Sequence, residues 1–223
     1  MNVTILQFPG TNCEADTEFA FNKLGTKNTI VWHTEKEIPT NTDLIVIAGG
    51  FSYGDYLRSG AIAAKSPIMQ AVISYANNGG KVLGICNGFQ ILLESGLLPG
   101  AMKRNENLHF ISRFQNLKVV DNDNAFLNRL QNDDLVDIPL AHAEGNYFVE
   151  ADTLTQMYAN KQVLLKYASA NGQEMNVNGS LDNIAGICNK NKNVFGLMPH
   201  PERAVDSTTN ATDGVKMLEG FLS

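Results

Sequence analysis

Lys81-Val82-Leu83-Gly84-Ile85-Cys86-Asn87-Gly88-Phe89-Gln90-Ile91-Leu92-Leu93 is the stretch on which the fold turns. Its first five residues read as a short buried strand, and the segment from Cys86 onward reads as a helix start. The junction has the form G-x-C-x-G, the cysteine counterpart of the nucleophile elbow G-x-S-x-G. A tight turn of this kind lifts the thiol above the carboxyl edge of a sheet. Flanking glycines accommodate strained backbone angles and close packing of neighbouring elements. The following helix directs its positive N-terminus at the sulfur, which favours a thiolate. Its backbone N–H groups can also stabilise an oxyanion. A buried cysteine closing a core strand is the plain alternative.

Upstream, Val3 to Phe8 reads as a strand ending at Pro9-Gly10, and Thr11-Asn12-Cys13-Glu14 fits a capping box with Thr11 at the N-cap. The helix that this box opens runs to Leu24. Thr29 to His33 and Asp43 to Ala48 read as further strands, the second closed by Gly49-Gly50. Ser66-Pro67 starts a helix whose Ile68, Met69, Val72, Ile73 and Ala76 keep a 3.6-residue period. Strand, helix, strand, strand, helix, strand, helix is the order of a doubly wound, mostly parallel α/β sheet. Near-continuous apolar strands agree, because parallel strands are buried on both faces. Downstream, Phe110 to Val120, Val136 to Leu140 and Val163 to Ala168 read as strands. Ile184 to Cys188 and Val194 to Met198 form a pair across a Lys/Asn turn, and Asp213 to Leu222 fits a closing helix.

Two further runs carry chemistry. In Met198-Pro199-His200-Pro201-Glu202-Arg203, His200 follows a strand and Glu202 comes two residues later. In extended chain these side chains point the same way, so Glu202 can orient His200 and His200 can take the Cys86 proton. In Gly49-Gly50-Phe51-Ser52-Tyr53-Gly54-Asp55, glycines let backbone N–H groups approach a ligand as an oxyanion hole requires. The alternatives are a surface loop and an ordinary glycine-rich turn. Taken together, the runs supply nucleophile, base, orienter and oxyanion hole, all after strands, where a parallel sheet places its ligand site. Cys13 reads as structural or accessory. His142, with Glu144 at the same spacing, is a rival base or a substrate-side element.

Composition narrows the classes. The 223 residues, 43% hydrophobic and 18% charged, suffice for the core of a single domain over 1–223. A formal charge of -6 without a basic cluster argues against a nucleic-acid partner. Three cysteines without CxxC or zinc-ligand spacing point to a reducing compartment and to no metal site. No apolar run approaches the roughly 20 residues of a membrane span, and the first residues lack a basic leader, so a cytoplasmic protein is expected.

The Gly-Ile-Cys-Asn-Gly-Phe-Gln run at 84–90 with Pro199-His200-Pro201-Glu202-Arg203 resembles the class I (triad) glutamine amidotransferases. The Gly49–Asp55 run, Phe8-Pro9-Gly10-Thr11-Asn12-Cys13-Glu14 and His142-Ala143-Glu144-Gly145-Asn146 are similar, within that class, to the glutaminase subunits of phosphoribosylformylglycinamidine synthases. Ser59 and Ala143 depart from the Cys and Gly of that pattern. The resemblance implies a Rossmann-like three-layer sandwich with catalytic Cys86, His200 and Glu202. It implies glutamine and oxyanion binding around Gly49, Gly50, Phe51, Asn87 and Gln90. L-glutamine would be hydrolysed through a Cys86 thioester. It also implies partners: a large synthetase subunit, carrying ATP and Mg, and a small accessory subunit. No cofactor is expected on this chain, which has no G-x-x-x-x-G-K-[ST] run. Other readings are a glutaminase for another pathway, a stand-alone cysteine γ-glutamyl hydrolase or peptidase, and a flavodoxin-like binding module.

Overall fold

In the computed structural model, which describes residues 1–209 and 211–222, the elements follow in order. They are β1 (Asn2–Gln7), α1 (Glu14–Lys23), β2 (Lys27–Trp32), β3 (Leu44–Ile47), α2 (Pro67–Asn77), β4 (Lys81–Ile85), α3 (Asn87–Glu94), β5 (Ala101–Lys103), β6 (Ile111–Val119), β7 (Leu135–His142), β8 (Asn146–Phe148), α4 (Ala151–Ala159), β9 (Val163–Tyr167), β10 (Ile184–Cys188), β11 (Val194–Leu197) and α5 (Asp213–Glu219). Nine strands form one sheet in the order β2-β1-β3-β4-β11-β10-β9-β6-β7, and β5 pairs with β8 in a separate ribbon.

The block β2-β1-β3-β4-β11 is parallel throughout. Beyond it β10 and β6 run opposite to their neighbours, so seven of the nine strands share one direction. The all-apolar β3 has every residue buried, and β11 likewise, because helices cover both faces of the parallel block. Right-handed crossovers explain the layering: β1-α1-β2 steps one way along the sheet and β3-α2-β4 the other, which puts the two helices on opposite faces.

This reversal between β1 and β3 is a topological switch point, and parallel sheets open a crevice there. The register brings the strand ends level: Leu6 pairs with Ile47, Ile47 with Gly84, and Leu197 with Ile85. Four chain segments therefore leave the sheet side by side, through Phe8, Gly49, Cys86 and Met198. Cys86 is anchored by its own N–H, which donates to the Leu197 carbonyl at 2.8 Å.

The capping box at Thr11 does not form. Cys13 is the N-cap of α1 and gives no side-chain cap bond. Thr11 Oγ1 instead accepts from the Phe8 N–H at 2.9 Å, and the Glu14 carboxylate accepts from Gln7 Nε2 at 2.9 Å. Here a local turn after β1 outcompetes the helix for the hydroxyl. The chain is then held sideways: the Asn12 and Cys13 N–H groups donate to the Gly49 carbonyl at 3.3 and 3.2 Å. α4 has no counterpart in the sequence reading, which gives no element between the strands ending at Leu140 and beginning at Val163. Met157 is its one buried residue, so the apolar period that marks a helix is faint there.

Candidate functional site

Cys86 stands at the apex of the turn between β4 and α3 with φ 52° and ψ -106°, a backbone conformation that L-residues rarely hold. The strain is thus on the cysteine and not on the glycines beside it. Gly84 and Gly88 serve close approach. A β-carbon on Gly84 would lie 2.6 Å from the Gly88 carbonyl oxygen and from Leu92 Cδ1. One on Gly88 would fall inside the Ile47 carbonyl oxygen. Only glycine lets α3 seat against β3 and β4 at this angle, and the seating raises the thiol to the cleft.

His200 comes off β11 and is fixed by its N–H, which donates to the Pro139 carbonyl of β7 at 2.8 Å. Its Nδ1 lies 2.6 Å from Glu202 Oε1. The expected extended segment is replaced by a 3-10 turn over Pro201–Arg203, so the contact comes from a tight reversal rather than from alternation. Both side chains are about 1% exposed. Burial alone would lower the His200 ionisation; the Glu202 carboxylate and the sulfur of Cys86 outweigh it, and the net direction is well upward. Gly49 forms the floor between these groups. A β-carbon there would lie 3.0 Å from His200 Cε1, 3.2 Å from Cys13 Sγ and 3.4 Å from Cys86 Cβ.

The rival base His142 differs in kind. It is buried, its Nδ1 meets Asn105 Oδ1 at 3.1 Å, and burial together with the charge of His200 lowers its ionisation to about 4. An imidazole held that low is a weak proton acceptor. The Cys86 thiol points toward the Ala141 carbonyl at 3.7 Å, one residue before His142.

Two lobes meet at Cys86, sharing Gly50, Phe51, Cys86 and Ala141. The larger, about 180 Å³, is walled also by Asn12, Cys13, Phe110, His200 and Arg203. The smaller, about 70 Å³, is walled by Asp55, Ser59, Gln90, His142, Ala143 and Glu144. In the smaller lobe Gln90 Nε2 donates to the Glu144 carbonyl at 2.7 Å, and Ser59 Oγ donates to the Glu144 carboxylate at 2.6 Å. Burial first, and the neighbouring Glu144 second, push the Asp55 carboxyl up to about 6. Asn87 is a strut: its Oδ1 accepts from the Ser52 N–H at 3.1 Å and its Nδ2 donates to Gln90 Oε1 at 2.8 Å.

The expected oxyanion donors divide. The Phe51 N–H already donates to the Gly10 carbonyl at 2.9 Å. Gly50 faces Thr11 as an isolated antiparallel bridge whose bonds are made by residues 49 and 51, so the Gly50 N–H points away from that ladder. Its φ of +146° and the crowding of a β-carbon at 2.7 Å from Asn12 N require glycine there. The Asn87 N–H belongs to the first turn of α3, where a helix supplies no internal acceptor. Asn12, Asp55, Phe110 and Arg203 line the lobes without being candidate site residues in the sequence, although Asn12, Asp55 and Arg203 fall within the quoted runs, and Ser59, a departure from the family pattern, lines the smaller lobe. Cys13 lies nearer the centre than a structural reading implies. Its Sγ accepts from Arg203 Nη2 at 3.1 Å, and Arg203 Nε is held by Asp16 Oδ2 at 2.8 Å.

An α/β sheet whose switch-point crevice holds a strained cysteine beside a carboxylate-paired histidine defines a class of thiol-dependent acyl-transfer folds. The chain belongs to the CobB/CobQ-like glutamine amidotransferase domain family, whose pattern matches residues 1–218. It is 63% identical over 222 residues to the phosphoribosylformylglycinamidine synthase subunit PurQ of Sulfurimonas denitrificans, covering 100% of this chain and 99% of the relative. It is 60% identical over 221 residues to the subunit of that name from Wolinella succinogenes, with 99% of each chain covered. Among solved structures, that of PurLQS from Thermotoga maritima superposes with a TM-score of 0.89 at 39% identity, covering 99% of this chain and 97% of that one. Among the described residues, no helix is long and apolar enough to cross a membrane.

Proposed function

We propose that this chain is the glutaminase subunit of a phosphoribosylformylglycinamidine synthase, with Cys86 as nucleophile, His200 as general base and acid, and Glu202 as its orienter. The observation that carries the reading is the convergence of Cys86 and His200 over the bare floor of Gly49. The amino-acid end of L-glutamine occupies the smaller lobe, where Glu144 and Asp55 face its ammonium group. The side-chain amide then lies over Cys86.

The reaction runs in two halves. The Cys86 sulfur attacks the amide carbon, and the oxyanion that forms is met by the Gly50 and Asn87 N–H groups. His200, kept cationic by Glu202, gives its proton to the departing nitrogen, so ammonia leaves and a glutamyl thioester remains. Water enters, His200 removes its proton, and the resulting hydroxide releases glutamate and the thiolate. Strain at Cys86 and burial of the His200–Glu202 pair fix the geometry before glutamine arrives, so little reorganisation is left for the reaction itself.

Ammonia is passed to a large synthetase subunit that binds ATP and Mg and converts formylglycinamide ribonucleotide to formylglycinamidine ribonucleotide. A small accessory subunit completes the complex, which works in the cytoplasm. The relatives' names and the PurLQS superposition support the place of this chain in a multi-subunit synthase. Three free, buried cysteines suit a reducing compartment. The test is reconstitution with the synthetase and accessory subunits. Glutamine-dependent product should form with the wild-type chain, while Cys86→Ala supports product only from added ammonium. Equal glutamine-dependent product from Cys86→Ala would defeat the proposal, as would failure of a glutamine-analogue diazoketone to label Cys86.

A further inference from the structure

The thiol of Cys13 has no part in the reaction just described, yet it completes a donor set. Its Sγ, one ring nitrogen of His200 and one carboxylate oxygen of Glu202 all lie within 4.8 Å of one another. In a tetrahedral zinc site, donors at about 2.0–2.3 Å from the metal stand roughly 3.3–3.7 Å apart. Side-chain adjustments on the order of 1 Å therefore close the set around one ion. Glu202 Oε2 is buried with no hydrogen-bond partner within the chain, so the carboxylate holds lone-pair capacity that the fold leaves unspent. A polar atom buried in this way is costly unless something else engages it.

The chemistry of the set selects the ion. Imidazole, thiolate and carboxylate suit a borderline-soft cation such as Zn²⁺ and not Mg²⁺ or Ca²⁺, which take oxygen ligands. One thiolate and one carboxylate balance the charge of a divalent ion. The Arg203 guanidinium donates to Cys13 Sγ at 3.1 Å and is itself held by Asp16, while burial raises the thiol's ionisation, so the ion releases the thiol proton as it binds. The larger lobe, walled by Cys13, His200 and Arg203, gives the ion its way in.

We propose that Cys13, His200 and Glu202 form a binding site for Zn²⁺ that switches the active centre off reversibly. The metal takes the place of the proton shared by His200 and Glu202, and its fourth position is left to water. The base is thereby withdrawn without any covalent change to the nucleophile. The donor set stands on its own geometry and does not depend on glutamine being the substrate.

The experiment uses the full-length chain with Co²⁺ as a spectroscopic probe and Zn²⁺ in equilibrium dialysis. The wild type and Cys86→Ser should both show a thiolate-to-cobalt charge-transfer band. Cys13→Ser should lose the band and bind Zn²⁺ more weakly by at least the about 10–100-fold that disturbing even an outer-shell partner costs. Glutamine hydrolysis by folded Cys13→Ser should proceed in the absence of metal and resist Zn²⁺ that silences the wild type. A band that survives in Cys13→Ser and vanishes in Cys86→Ser would overturn the proposal, because the nucleophile alone would then hold the ion. X-ray absorption of the zinc-loaded wild type needs no variant. A single sulfur among nitrogen and oxygen ligands agrees with the proposal, and a shell without sulfur refutes it.

Discussion

A β-carbon on Gly49 would lie 3.0 Å from Cε1 of His200, closer than packed carbons approach. The same atom would crowd Cys13 Sγ at 3.2 Å and Cys86 Cβ at 3.4 Å. Gly49 does not have a positive φ, so the space around it is what calls for glycine. The Gly49→Ala variant is expected to fold, because a single methyl can be absorbed by small shifts of side chains. It should lose glutamine hydrolysis by about 10²-fold, since a displacement near 1 Å of a positioned group has that consequence. Matched thermal melts and steady-state rates check this; a folded variant with wild-type kcat would show that the floor does not set the approach of Cys86 and His200.

Gly88 and Gly25 test the two reasons for glycine separately. At Gly88 a methyl collides with the Ile47 carbonyl, a backbone atom that cannot rotate away. At Gly25, which follows α1, nothing stands within 4 Å, but φ is +79°. Gly25→Ala should therefore cost about 1–2 kcal/mol, the penalty of a left-handed backbone. Gly88→Ala should cost about 3 kcal/mol or prevent folding, the upper range for overpacking. Urea denaturation of both variants, with m-values compared, decides between them, and equal costs would contradict the distinction.

These contrasts bear on what sequence can convey. The strands β3, β4 and β11 are legible because burial on both faces leaves unbroken apolar runs, and the elbow at Cys86 because glycine spacing and a strand-to-helix junction coincide. His200 and Glu202 are legible as a pair, but the 3-10 turn that joins them is not, since Pro201 suits either conformation. The place of Cys13 beside His200 is beyond local pattern. It follows from the Gly49 carbonyl capturing the Asn12 and Cys13 amides, a contact across 36 residues that depends on the register of β1 with β3. The ribbon of β5 and β8 is too short to announce itself.

Glu202→Gln keeps the volume beside His200 and removes the charge. The carboxylate is the foremost influence raising the His200 ionisation against the effect of burial. Without it the imidazolium loses its counter-charge, and kcat should fall by roughly 10²–10⁴-fold, the usual worth of a positioned acid-base group. The pH profile should shift as well: the limb reporting the protonated His200 moves to lower pH. An unchanged profile with reduced kcat would mean that Glu202 acts by packing alone.

The smaller lobe predicts a pH dependence of binding. Asp55 ionises near 6, raised first by burial and next by Glu144. As pH rises from about 5 to 7 the lobe gains a negative charge facing the glutamine ammonium, which stays protonated throughout. KM for glutamine should fall over that interval, and Asp55→Asn should flatten the trend while leaving kcat little changed. A wild-type KM that is flat from pH 5 to 7 would remove Asp55 from recognition.

His142 predicts a pH dependence of stability that is independent of catalysis. Burial, with the charge of His200, holds its ionisation at about 4 against an ordinary 6.5. The unfolded chain binds this proton more readily than the folded one. The contribution is therefore complete above pH 6.5 and is lost as pH falls through 4. The gap corresponds to roughly 3 kcal/mol. Asp55 works in the opposite sense over the same interval, because a carboxyl raised by folding favours the folded state at low pH. The useful quantity is thus the difference between the wild type and His142→Asn, which keeps an amide opposite Asn105. Wild-type stability should decline more steeply than that of the variant between pH 6.5 and 4, as read by urea unfolding at each pH. Parallel curves would show that the His142 ring does not stay neutral in the fold.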